Sequence, residues 1–109
     1  MISWEDFEKV EIRVGTIVDV QDFPEARRPA YKIKVDLGEL GIKKSCAQVT
    51  VLYKKEDILG KQVLCVCNFP PKQIGSYMSE ILVTGFYNEN NEVVLSTVER
   101  AVPNGSLMR

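Results

Sequence analysis

The side chains of this 109-residue sequence that could carry covalent chemistry are three cysteines, Cys46, Cys65 and Cys67, and fifteen carboxylates; there is no histidine. That absence removes the commonest general base, and with it the Ser-His and Cys-His nucleophile pairs. Cys65 and Cys67, two apart in a strand, would share one face about 7 Å apart, which is poor disulfide geometry. A zinc ion held there would need Cys46 and carboxylates to complete its tetrahedron. No carboxylates or lysines group around a nucleophile, and the seven glycines stand apart from one another instead of forming a phosphate-cradling loop. The residue types predict a protein that is not an enzyme, without catalytic residues, metal or cofactor, and with its thiols packed as small hydrophobes.

What remains is recognition. The run Gln62-Val63-Leu64-Cys65-Val66-Cys67 reads as a strand and leads into Asn68-Phe69-Pro70-Pro71, where two prolines hold their neighbours extended and supply no backbone donors. A stiff, poorly paired loop is predicted from there to Ile81, presenting a surface between two strands. Phe69, Pro70, Pro71, Tyr77 and Met78 are its candidate contacts for an extended apolar peptide, with Met78 supplying the adaptability of promiscuous binders. Phe69, Tyr77 and Met78 would equally serve to cap the open end of a barrel.

Charge is unevenly spread. Residues 1–26 carry −5, residues 27–72 carry +6 and residues 73–109 carry −2, for a net −1. The basic middle would suit an anionic partner through Arg27, Arg28, Lys32, Lys34 and Lys72, or it is the solvated face of amphipathic strands. No apolar run approaches the ~20 residues of a membrane span, and the first residues do not read as a secretion signal, so no membrane insertion and a cytoplasmic location are expected.

The elements that must position these residues follow from periodicity. Ser3 and Asp6 form a capping box opening a short helix with Trp4, Phe7 and Val10 along one stripe. Residues 11–20 alternate as a strand, with Gly15 the expected site of a bulge or bend. Residues 31–37 form a second strand and 42–49 a third; 50–59 hold a helical segment closed by Gly60. Strands over 62–69, 81–87 and 92–96 complete the chain, the last two joined by a turn at 88–91. Five principal strands, with a helix between the third and fourth, predict one domain over residues 1–109. Its class is all-β with short helices, a five-stranded OB-fold Greek-key barrel with N- and C-terminal extensions.

Four stretches then resemble a known family. Glu11-Ile12-Arg13-Val14-Gly15-Thr16-Ile17-Val18, Lys34-Val35-Asp36-Leu37-Gly38, Asn68-x-x-Pro71-x-x-Ile74 with Ser79, and Val102-Pro103-Asn104-Gly105 are similar to the signatures of the tRNA-binding-domain family. Within it, Phe23-Pro24-Glu25-Ala26-Arg27, the double proline and Ser79-Glu80-Ile81-Leu82-Val83 resemble the CsaA-type secretion chaperones. The resemblance implies a dimeric, cytoplasmic, ATP-independent binder of unfolded or preprotein polypeptide that cooperates with the secretion ATPase. The alternative is structure-selective tRNA binding through Arg27, Arg28, Lys32, Lys34, Lys72 and Ser79. The tRNA-binding members carry approximately His-Pro-Asn-Ala-Asp-Lys in the first loop. Here Phe23, Glu25 and Arg27 replace its His, Asn and Asp, and Ile81-Leu82 replaces a Gly-Met after Ser79, changes that suit an apolar ligand better.

The apolar residues outside the barrel complete the expectations. Trp4, Phe7, Val102, Leu107 and Met108 would leave an exposed patch of a kind monomers rarely keep, which predicts a homodimer joined through both chain ends. Folding both ends back onto the same barrel is the alternative.

Overall fold

In a computed structural model describing residues 1–109, the capping box forms as the sequence requires. Asp6 N–H donates to Ser3 Oγ and Ser3 N–H to Asp6 Oδ2, both at 3.1 Å, opening α1 (Trp4–Glu8). The strands are β1 (Ile12–Asp22), β2 (Tyr31–Asp36), β3 (Ile42–Ala47), β4 (Gln62–Val66), β5 (Lys72–Ile74), β6 (Tyr77–Ser79), β7 (Leu82–Val83), β8 (Gly85–Tyr87) and β9 (Val93–Leu95). One short helix, α2 (Lys55–Ile58), lies between β3 and β4. The main sheet is antiparallel in the order β3-β2-β1-β4-β7, and β5-β6 and β8-β9 are separate hairpins.

Alternation sets the two faces. Tyr31, Ile33, Val35 and Leu37 are buried while Lys32 and Lys34 face outward, so β2 contributes a full inner face to the core with Ile17, Ile58, Val63 and Cys65. Each such aliphatic side chain contributes about 1.5–3 kcal/mol. Edge-to-edge closure comes at Lys44. Its carbonyl accepts the N–H groups of Glu80 (2.8 Å) and Ile81 (3.3 Å), and its own N–H donates to Glu80 Oε1 (3.0 Å). The result is a nearly closed five-stranded barrel of the OB type.

Several boundaries differ from expectation, each for a local reason. The bulge lies between Ile17 and Asp19, not at Gly15. Gly15 is instead a point of close approach, since a Cβ there would stand 2.4 Å from Val35 Cγ1 and 2.8 Å from the Asp36 carbonyl. The fourth strand ends at Val66 because the Asn68 side chain takes over from the ladder: its Oδ1 accepts from Glu11 N–H (3.0 Å) and its Nδ2 donates to the Lys9 carbonyl (2.7 Å). The helix covers only Lys55–Ile58 of the expected 50–59, with Gly60 at φ +88° just past its end. The fifth strand breaks at Thr84, whose N–H and hydroxyl both donate to the Leu64 carbonyl while its own carbonyl accepts from Ser96 N–H. Residues 72–79, read as a poorly paired loop, form the β5–β6 hairpin.

Both chain ends return to the barrel. Gly105 N–H donates to Val14 C=O (2.7 Å), Val14 N–H to Ser106 C=O (3.0 Å) and Met108 N–H to Ile12 C=O (2.8 Å), so this segment runs as an added strand beside β1. Gln62 Nε2 holds the Val102 carbonyl at 2.7 Å, and Thr16 Oγ1 donates to Asn104 Oδ1 at 2.8 Å. No helix is long and apolar enough to cross a membrane.

Two substitutions test this packing. Gly15→Ala should lower stability by about 1–3 kcal/mol in urea denaturation through overpacking against β2. Ser45, buried with an unpartnered hydroxyl, gives the opposite expectation. Ser45→Ala removes a polar atom without a partner and should leave stability unchanged or raise it by up to about 1 kcal/mol.

Candidate functional site

The β5–β6 hairpin organises the surface. Its register pairs Lys72 with Ser79, Gln73 with Met78 and Ile74 with Tyr77, so Tyr77 and Met78 point to opposite faces. Tyr77 turns over the outer face of β2 and β3. Its hydroxyl donates to the Ile33 carbonyl at 3.0 Å, and its ring meets buried Phe23 edge-on with centroids 5.7 Å apart. Lys32 Nζ lies 5.7 Å from both ring centroids, and Lys44 Nζ lies 5.2 Å from the Tyr77 ring. Desolvation, the nearby carboxylates of Asp19 and Glu80, and the Cys46 thiol push the Tyr77 phenol up to about 12.

The hairpin tip ties this face to the first loop. Gly75, at φ +58°, makes the turn beside the Phe23 ring, and Ser76 Oγ donates to Glu25 Oε2 at 3.2 Å. Exposed Arg27 and Arg28 follow in the same loop, while Lys34 stands opposite Lys44 in the β2–β3 register. None of Arg27, Arg28, Lys32, Lys34 or Lys44 takes part in the chain's four ion pairs. Cations predominate on this face, with an aromatic ring at its centre and the carboxylates of Asp19, Glu25 and Glu80 nearby.

A second feature lies around Phe69. Asn68 anchors the root of the arm and Pro70-Pro71 stiffens it, which leaves the Phe69 ring 55% exposed between two hollows. One, about 300 Å³, is lined by Phe69, Pro70, Lys72, Ser79, Ile81 and Leu82. The other, about 270 Å³, has Phe69 and Pro71 beside Leu37, Leu40 and Lys43. Ser79 is held in the framework, accepting from Cys46 N–H at 3.2 Å and donating to the Ile81 carbonyl at 3.3 Å. The structure therefore splits the residues expected to contact peptide. Phe69, Pro70 and Pro71 stay together, Tyr77 joins the cationic face, and Met78 is exposed on the far side of the hairpin. Lys72 likewise stands at the Phe69 groove rather than with Lys32 and Lys34.

The third surface is formed by the ends. Trp4 and Phe7 pack with ring centroids 5.3 Å apart, tilted by 46°, and with Val10, Leu107 and Met108 line a hollow of about 350 Å³. Val102 lines an adjoining hollow of about 240 Å³ with Ile12, Val14, Leu64 and Leu107. Trp4 stays 64% exposed even though the C-terminal segment is hydrogen-bonded to its own barrel.

All three thiols are free, and burial pushes Cys65 up to about 12. No three Cys, Asp or Glu side chains come close enough to hold a metal ion. Sequence reasoning passed over Lys44, and it counted Phe23 among the changes that suit an apolar ligand, whereas Phe23 is buried beneath Tyr77. The signal for Lys44 was its place opposite Lys34, visible only once the β2–β3 register is known; a phenylalanine before a proline gives no hint that it will be buried.

A family model described as "Putative tRNA binding domain" matches residues 12–107. The chain belongs to the tRNA-binding-domain family. A solved structure of the chaperone CsaA from Bacillus anthracis is 42% identical, covers 100% of this chain and 99% of its own, and superimposes with a TM-score of 0.93. The CsaA chaperone protein of Picrophilus torridus is 44% identical with full coverage of both chains and the same TM-score. A methionine–tRNA ligase of Nanoarchaeum equitans is 37% identical over 109 residues. This chain spans 14–16% of the length of that enzyme and of two further methionine–tRNA ligases that it matches. Among the residues that carry the resemblance, Asn68 holds the α1–β1 connection through Lys9 and Glu11, and Asn104 joins Thr16 and Gln62. Both hold the barrel together.

Tyr77 gives a pH test. Its folded value lies above the usual tyrosine value of about 10, so the folded state keeps a proton that the unfolded chain releases. The stability this adds is complete below pH 10 and is lost as pH rises towards 12. Tyr77→Phe should lose about 1 kcal/mol at neutral pH with the Ile33 hydrogen bond, and should show a shallower decline above pH 10 in alkaline denaturation followed by circular dichroism.

Proposed function

We propose that this protein is a chaperone-like binder of unfolded or preprotein polypeptide, related to export, that works without ATP and takes apolar client segments at Phe69. The observation that carries this reading is the Phe69 ring, held out on a stiff Asn68-anchored arm between two hollows, in a chain similar from end to end to CsaA chaperones. Burying an aromatic or large aliphatic client side chain in such a hollow contributes about 1.5–3 kcal/mol. Two or three sites used together bring polypeptide affinity to the micromolar range. The reading places the protein in the cytoplasm, with the secretion ATPase as the partner that receives its clients. Suppression of aggregation of a chemically denatured client, followed by light scattering, should weaken several-fold in Phe69→Ala. Unchanged suppression in that variant, or none by the parent protein on several clients, would count against it.

The working unit in this reading is a homodimer. Trp4, Phe7, Leu107 and Met108 remain an apolar patch after the C-terminal segment has docked, and a two-fold contact would cover that patch on both copies at once. Sedimentation at micromolar concentration should report about twice the 12.3 kDa chain mass. Trp4→Asp combined with Met108→Asp should shift the protein to the monomer while leaving its circular dichroism unchanged, and a monomeric parent would remove the proposal.

A second reading is supported by the cationic face. Lys32, Lys34 and Lys44 around Tyr77, beside Arg27 and Arg28, occupy the strand 2–3 surface and first loop that OB-folds use for nucleic acid. Shape and phosphate contacts would dominate binding to a folded tRNA. Three or four phosphate contacts give a log–log salt slope of roughly −3, and Arg27→Ala with Arg28→Ala should make it shallower by about 1–2 units. An affinity indifferent to salt would rule this reading out.

A further inference from the structure

We propose that the free edge of β8 takes an uncharged, extended segment of client polypeptide as an added strand. The proposal rests on the polypeptide-binding reading above and deepens it by giving a second site with its own mode of recognition. The barrel is closed at Lys44 but opens farther along the same seam. There a groove of about 420 Å³ runs between residues 46–49, at the end of β3, and residues 82–87.

Along this groove the outward main-chain groups of Gly85, Tyr87 and Gln48 have no backbone partner. Across the β8–β9 hairpin, Asn88 N–H donates to Glu92 C=O at 3.0 Å and Ser96 N–H to Thr84 C=O at 3.1 Å, so the even-numbered residues of 84–88 bond across it. Leu95 N–H, opposite Gly85, goes instead to the Tyr53 hydroxyl at 3.0 Å. Gly85 and Tyr87 therefore direct their N–H and C=O groups away from β9. On the facing side Cys46 N–H is taken by Ser79, and Gln48, the next residue directed away from β2, has no backbone partner. A row of donors and acceptors spaced two residues apart is matched by another extended backbone.

Three features select the occupant. The lining carries no charged side chain: Phe86 and Tyr87, 72% and 75% exposed, stand with Val49, Leu82, Val83 and Val93, which matches an uncharged segment and disfavours nucleic acid. The chain's own C-terminal segment cannot fill the edge, because it is already spent on β1. Leu82 also lines the Phe69 hollow, so the groove is continuous with the surface assigned to clients, and one extended chain can run from Phe69 onto the edge.

The test uses the full chain and a fluorescent eight-residue peptide of alternating valine and threonine, with two further forms N-methylated at the odd or at the even residues. A strand adding to one edge needs only one of these sets of N–H groups. One methylated form should bind like the parent peptide and the other about tenfold more weakly, corresponding to one or two lost backbone hydrogen bonds. Tyr87→Pro, which removes an edge donor, should weaken the parent peptide several-fold. Phe86→Lys, a change at an exposed side chain that leaves the fold undisturbed, should do the same. Equal binding of both methylated forms, or parent-like binding by both variants, overturns the proposal. If an unfolded client is still bound and released by Phe69→Ala in that event, the chaperone reading stands without the edge. Failure to bind peptide or client at all removes both. Oligomers larger than a dimer that Tyr87→Pro abolishes would make a second copy the occupant and also overturn it.

Discussion

One residue's main chain closes the barrel. Lys44 C=O accepts two N–H groups from residues 80–81 while Lys44 N–H is held by the Glu80 carboxylate, and everything placed on the surface follows from that knot. It fixes the β5–β6 hairpin against β3, which sets Tyr77 over Lys32 and Lys44 on one side. On the other side it sets the wall of the Phe69 hollow. Beyond the knot the two strand edges are no longer bonded to each other, and the seam with its uncharged lining begins. An isolated hairpin of two three-residue strands would be marginal in water; here it is held because residues 80–81, just past its end, and the Ser79 and Tyr77 side chains bond to β2 and β3.

The arrangement separates two kinds of chemistry. Cations outside the chain's close ion pairs gather where β2 and β3 turn outward, while apolar side chains without cover gather at Phe69, along the seam and at the chain ends. A family whose members include segments of methionine–tRNA ligases and whole CsaA chaperones is consistent with one scaffold offering both.

Much of this was legible in the sequence where a pattern repeats. The alternation of residues 31–37 placed Lys32 and Lys34 outside and Tyr31, Ile33 and Val35 inside, and the Ser3–Asp6 pair marked the helix start. Legibility failed where long-range contacts outweigh local preference. Gly15 reads as a bend but is small because β2 crosses close above it, a fact that depends on a partner some twenty residues away. Residues 72–79 read as a loop because two prolines precede them and a glycine breaks their pattern, yet three register pairs form between β5 and β6, with the Ser79 hydroxyl anchored on Cys46 N–H of β3. The candidate peptide contacts were grouped by nearness in sequence. A hairpin turns successive residues to opposite faces, and that alone separates Tyr77 from Met78.

The strand that residues 104–108 add beside β1 has a temporal side. Val14 and Gly105, joined at 2.7 Å, are ninety-one residues apart in the chain. During synthesis at about 5–20 residues per second, β1 leaves the ribosome roughly 5–20 s before the segment that bonds its edge exists. Through that interval β1 carries an open row of backbone groups, in a cell where the folded barrel is proposed to take hold of other chains in the same condition. The nascent protein thus passes through the same state as the clients proposed for it, and the arrival of Asn104 and Gly105, seated against Thr16 and Leu37, ends it.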